Sequence, residues 1–141
     1  MLYKQIKELY EHFRLAHYHE LFGRIREKDG SLSATEAYAA DVIYLLGNPT
    51  VRRFADVLGI SQPNATYKIN NLAAKGYVSR SYSDEDRREC RVSVVDRFFS
   101  YYNTDYPFLA QGVEKLSELY SPEELALFER MLSDLNKAIS E

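Results

Sequence analysis

A chain of 141 residues with 45% apolar and 28% charged residues has the makeup of an ordinary globular protein, which excludes disordered and fibrous classes. Cys90 is the sole cysteine, so an intrachain disulfide and a cysteine-only metal site are excluded and a reducing, cytoplasmic setting is expected. The net charge of −3 hides a division: Thr50 to Arg97 holds nine basic and six acidic residues, the remainder nine and fifteen. A basic segment in an acidic chain is the pattern of one part that meets phosphate and another that is solvated or pairs with protein. Twelve tyrosines and no tryptophan favour interfaces or a semi-polar pocket over a plain core.

In chain order, Leu2, Ile6, Leu9, Tyr10, Phe13, Leu21, Phe22 and Ile25 recur at helical spacing and predict one long helix to about Arg26. Its mixture of charged and apolar residues is unlike a secretory signal. No run in the chain approaches the roughly 20 apolar residues of a membrane span, so no membrane partner is expected. Lys28 to Ser31 breaks the pattern, and Ser33 with Glu36 forms a capping box that opens a second helix. Gly47-Asn48-Pro49 ends that helix and Thr50 caps the next, whose apolar face is Val51, Phe54, Ala55 and Leu58. Gly59 supplies a turn, Ser61 caps a fourth helix with Pro63 in its first turn, and Ala65, Ile69 and Leu72 form the buried face. Two short helices joined by a glycine-containing turn are a helix-turn-helix.

After Gly76 the period becomes two. Val78, Arg80, Tyr82 and then Cys90, Val92, Val94 predict two strands around the charged tip Ser83 to Arg88. From Asp96 the helical spacing of Phe98, Tyr102, Tyr106, Leu109, Val113 and Leu116 predicts a further helix. Ser121-Pro122-Glu123-Glu124 starts a last one, with Leu125, Phe128, Leu132, Leu135 and Ile139 on its face.

The segment Ile60 to Thr66, followed by Leu72-Ala-Ala-Lys-Gly-Tyr-Val78 and the hairpin Arg80 to Arg88, resembles the MarR (multiple antibiotic resistance regulator) family. The resemblance implies a mainly α (α+β) winged helix-turn-helix with long N- and C-terminal dimerisation helices. Residues 1–32 would form the N-terminal dimerisation helix, 33–96 the DNA-binding region and 97–141 the C-terminal dimerisation helices. It further implies a homodimeric transcriptional regulator, acting as a repressor on a pseudo-palindromic double-stranded DNA site. The family often has Arg where this chain has Tyr67 and Asn71, and Leu-Thr where it has Val94-Val95.

With Ala65, Ile69 and Leu72 inward, a turn of about 100° per residue aims Pro63, Asn64, Tyr67, Asn70 and Asn71 outward, toward a major groove. The Asn64 amide suits bidentate contact with adenine, and Gln62 and Thr66 reach bases or phosphates at the edge. Arg87 and Arg88 at the hairpin tip suit a narrow minor groove, where the resemblance points to Arg88 oriented by Asp86. Arg52, Arg53, Lys68 and Lys75 are phosphate contacts of lower rank. The resemblance, with Phe13, Tyr38, Tyr44, Phe98, Tyr101 and Tyr102, also suggests an aromatic-lined cavity for a small aromatic or anionic effector. No cofactor and no metal are expected: His12 and His19 are about 10.5 Å apart along a helix, too far to share an ion. Phosphate-binding glycine loops and nucleophile elbows are absent, so an enzyme is not expected, and the competing reading is a winged helix used for protein contact.

Overall fold

The computed structural model describes residues 1–26, 32–83, 85, 88–101 and 105–140. Among the described residues, seven helices and two strands are ordered α1 (Leu2–Arg26), α2 (Ala34–Leu46), α3 (Val51–Leu58), α4 (Gln62–Ala74), β1 (Val78–Tyr82), β2 (Cys90–Val94), α5 (Asp96–Tyr101), α6 (Pro107–Leu119) and α7 (Pro122–Ser140). They fall into two compact units, Met1–Tyr102 and Asn103–Glu141. Among the described residues no helix is long and apolar enough to cross a membrane.

The helix starts follow local chemistry. The Ser33 side chain accepts from the Glu36 N–H while the Glu36 carboxylate accepts from the Ser33 N–H, both at 3.3 Å, so two otherwise orphaned donors are satisfied reciprocally. Thr50 and Ser61 cap α3 and α4 through the N–H groups of Arg53 and Asn64, at 3.0 and 3.2 Å. Between these helices Gly59 adopts φ +65°, a left-handed conformation that closes α3 with the Ile60 N–H on the Ala55 carbonyl.

The core of the first unit lies where α2, α3, α4 and the hairpin meet. Ile43, Phe54, Ala65, Ile69, Leu72, Val92 and Phe98 are fully buried, and each large side chain among them contributes about 1.5–3 kcal/mol by leaving water. The strands pair antiparallel with Val78 opposite Val94, Arg80 opposite Val92 and Tyr82 opposite Cys90. Pro49 adds to this edge: its carbonyl accepts from the Val92 N–H at 2.9 Å, and Thr50 bridges to Arg91. The start of α3 is thereby stitched to the hairpin.

One expectation is corrected. The helical run from Asp96 is interrupted, because α5 ends at Tyr101 and α6 starts at Pro107. Proline disfavours helical backbone at the preceding Tyr106, found at φ −118° and ψ 83°, and its ring is tolerated only in a first helical turn. The wing is thus followed by three helices. On α5, Phe98 belongs to the core of the first unit.

In the second unit, Ser121 and Glu124 form another reciprocal capping box at the start of α7, at 2.9 and 3.2 Å. Neither α6 nor α7 has a buried residue. Val113, Leu119, Phe128, Met131, Leu132 and Ile139 all stand exposed, and an apolar cleft of about 340 Å³ is lined by Leu116, Tyr120, Glu124, Leu125 and Phe128.

Candidate nucleic-acid interface

The helix that carries most of the expected contact residues is anchored by its inner face. Ala65, Ile69 and Leu72 have no exposure, which fixes the roll of α4 and turns Gln62, Pro63, Asn64, Thr66, Tyr67 and Asn70 to solvent. Tyr67 stands 66% exposed, a large apolar ring unprotected at the centre of the row. Lys68 and Asn71 are half-buried at its margins. The Ser61 cap uses only the backbone N–H of Asn64, so the exposed Asn64 amide keeps its own donor and acceptor.

Beside this face, Thr50, Val51, Arg52, Gln62, Arg88, Glu89 and Cys90 line a cleft of about 360 Å³. The starts of α3 and α4 and the root of β2 therefore converge, which brings together two positively polarised helix ends and two guanidinium groups. Arg88 is exposed there, and Arg53 is exposed one residue beyond Arg52. Arg87 and Asp86 lie outside the described residues, as does the expected pairing of Asp86 with Arg88.

Three further cations of the basic segment have defined partners within the fold. Lys75, expected to meet phosphate, is the C-cap of α4, and its ammonium is held by Glu36 at 2.9 Å. That carboxyl is held below the usual carboxylate range: burial opposes the shift most strongly, but the Lys75 ammonium and the Ser33 donors outweigh it together. Arg91 pairs with Glu89 at 3.0 Å and donates to the Asn48 carbonyl at 3.1 Å. Arg97 donates to the Lys75 carbonyl at 2.6 Å and lies over the Tyr77 ring, 4.9 Å from its centroid. Sequence reasoning does not single out Arg97 for this role, and the contact beside the Gly76 turn, itself at φ +79°, is visible only in the tertiary structure.

The aromatic residues expected to line an effector cavity divide. Tyr44 stacks on Phe98 with centroids 5.2 Å apart, and Phe99 meets both rings edge-on at 5.9 and 5.4 Å. Phe98 is fully buried in the core of the first unit. Phe13 and Tyr38 are exposed on α1 and α2. Tyr102 and the Tyr101 side chain lie outside what is described. His17 approaches Asp41 at 3.6 Å, and among the described residues no cluster of His, Cys, Asp or Glu has the arrangement of a metal site. Cys90 is half-buried, with its Sγ 3.9 Å from the Arg91 carbonyl.

Residues 31–89 match the sequence pattern of the MarR family. The uncharacterized HTH-type transcriptional regulator YfiV of Bacillus subtilis (strain 168) is 31% identical over 101 residues, covering 70% of this chain and 63% of that protein. The chain thus spans less than two thirds of that relative's length. Among solved structures, Streptococcus pneumoniae FabT in complex with DNA is 25% identical with a TM-score of 0.58, over 98% of this chain and 97% of that one. A MepR mutant from a multidrug resistant S. aureus clinical isolate matches with a TM-score of 0.65 at 16% identity, over 96% and 95% of the two chains, a likeness of fold alone. Over its winged helix-turn-helix, the chain is similar to the MarR family.

Proposed function

We propose that this chain is a sequence-specific double-stranded-DNA-binding regulator that acts as a homodimer, with α4 in the major groove and the wing in the adjoining minor groove. One observation carries the reading. A helix locked by its buried face presents Gln62, Asn64, Thr66 and Tyr67 outward, beside a cleft where Arg52 and Arg88 meet the starts of α3 and α4. Uncharged hydrogen-bonding side chains suit base edges, whereas arginines and helix starts suit phosphate. The FabT structure in complex with DNA supports the same use of the fold.

The dimer rests on the apolar faces that remain open. Leu2, Tyr3, Tyr10, Leu15 and Phe22 are exposed on α1, as are the apolar faces of α6 and α7. Such extended apolar surface is that of an association interface. Two copies related by a two-fold axis would present two copies of α4 to a two-fold-related DNA site. Repression is the regulatory sense the family resemblance favours, tested by transcription in vitro from a promoter overlapping the selected site.

Selection of bound duplexes from a random pool tests the reading. The expected outcome is enrichment of a pseudo-palindrome whose half-sites are about one helical turn apart, with binding that weakens as salt rises. Failure to enrich any sequence, with association insensitive to salt, overturns it in favour of a protein-contact module.

A further inference from the structure

On β1, Val78, Arg80 and Tyr82 share one side of the strand, and Val78 is buried while Arg80 lies opposite the fully buried Val92. Arg80 therefore leaves the inner side of the hairpin at the point where the core ends. Its guanidinium crosses to α4 and donates to the side-chain carbonyl of Asn70. Both residues are exposed, and Asn70 stands one turn beyond Tyr67 on the outward row.

The partner's chemistry matters. Arg91 is neutralised by Glu89 and Lys75 by Glu36, but the described partner of Arg80 is a neutral amide. The amide fixes the side chain without compensating its charge, and most of the five guanidinium donors stay available. A guanidinium already held in place loses less freedom on meeting a phosphate.

We propose that Arg80, held by Asn70, is a DNA-backbone contact beneath the sugar-phosphate strand that separates the groove read by α4 from the groove entered by the wing. The proposal rests on the DNA-binding reading above. If a helix occupies a major groove and the adjoining hairpin the next minor groove, the strand dividing those grooves must run between them. Arg80 and Asn70 are the bridge between these two elements, so the uncompensated charge sits on that path.

The experiment is a salt titration of duplex binding by the full chain, on a selected duplex and on an unrelated one of equal length. Arg80→Gln is expected to weaken both duplexes alike and to make the dependence of log affinity on log salt shallower by about one for each phosphate no longer neutralised. From 50 to 200 mM salt, that reduces the affinity drop by about threefold per phosphate. Arg80→Lys keeps the charge and the slope, and controls for the fold if Arg80→Gln melts early. Asn70→Ala is expected to weaken both duplexes less, with the slope retained, and to add nothing when combined with Arg80→Gln. An unchanged slope for Arg80→Gln, with wild-type binding itself salt-dependent, overturns the assignment and leaves the DNA reading intact. A loss confined to the selected duplex also overturns it, since that is base reading. Absence of salt-dependent duplex binding by the wild-type chain overturns both.

Discussion

The Lys75 ammonium lies 2.9 Å from Glu36 Oε2 and 3.0 Å from Oε1, and so ties the C-terminal end of α4 to the first turn of α2. Oε1 also accepts from the Ser33 N–H at 3.3 Å, whereas Oε2 is held by the charge alone, without another hydrogen bond. One carboxylate thus closes a capping box and anchors the far end of the helix proposed to read DNA.

Glu36→Gln should retain the capping hydrogen bond and lose the ion pair, at a cost of about 1 kcal/mol in stability at neutral pH. The folded-state pKa of Glu36 lies below its ordinary value of 4.5. Its stabilisation is therefore fully present above that value and lost as pH falls through the folded value. Thermal melts should show the gap between wild type and Glu36→Gln narrowing below about pH 4.5. A gap that is constant down to about pH 2, well below the ordinary carboxylate range, would show that the charge is not the cause.

Asp41 should behave in the opposite sense. Burial pushes its carboxyl up most strongly, the nearby His17 lowers it and Glu20 raises it again. A raised carboxyl pKa means that folding favours the protonated form, so stability falls as pH rises from the ordinary value of 3.8 through the folded value. Asp41→Asn removes that charge and should raise the melting temperature at pH 7, with the advantage vanishing below about pH 3.8. If Asp41→Asn destabilises at pH 7, the pairing with His17 at 3.6 Å outweighs burial.

The open faces of α6 and α7 give a test of assembly. Phe128 and Leu132 lie one turn apart on α7, 45% and 44% exposed. A carboxylate at the centre of an apolar interface is costly to desolvate. Phe128→Glu should shift sedimentation from dimer toward monomer and weaken operator binding, while the far-UV spectrum of the first unit's helices persists. An unchanged dimer would place the association surface elsewhere.

Much of this architecture is legible in the sequence because short-range chemistry agrees with the packing. The caps at Ser33, Thr50, Ser61 and Ser121 lie where Ser or Thr precedes a helical period, and Ala65, Ile69 and Leu72 follow that period into the core. The two strands follow from alternation, whereas their register, Arg80 opposite Val92, also depends on the turn that joins them. The break between α5 and α6 is hidden from the period, because Tyr102 and Tyr106 keep helical spacing across it, and only the backbone restriction imposed by Pro107 signals it. Side-chain pairings across the fold have no local signal. Glu36 and Lys75 are 39 residues apart, and Arg97 reaches a backbone carbonyl 22 residues earlier, so nothing short of the tertiary structure separates these cations from those left for a partner.

That separation makes a comparison of Asn64 and Arg88 decisive for how the surface divides its labour. Asn64 stands exposed at the start of α4, its side-chain amide not used by the cap, and it can present one donor and one acceptor to an adenine edge. Asn64→Ala is expected to cost roughly 1–3 kcal/mol on the selected duplex and little on unrelated DNA. Arg88 lines the cleft with Arg52 and Gln62, where a guanidinium meets phosphate or a narrow minor groove whatever the sequence. Arg88→Ala should weaken both duplexes and flatten the salt dependence by about one for each phosphate no longer neutralised. Both variants should be titrated on both duplexes across the same salt series, because affinity at a single salt concentration cannot separate the two effects. Equal losses on the two duplexes for Asn64→Ala would remove base reading from that residue. An unchanged slope for Arg88→Ala would take the root of the wing out of the interface, and the cleft it shares with Arg52 would then need another anionic partner.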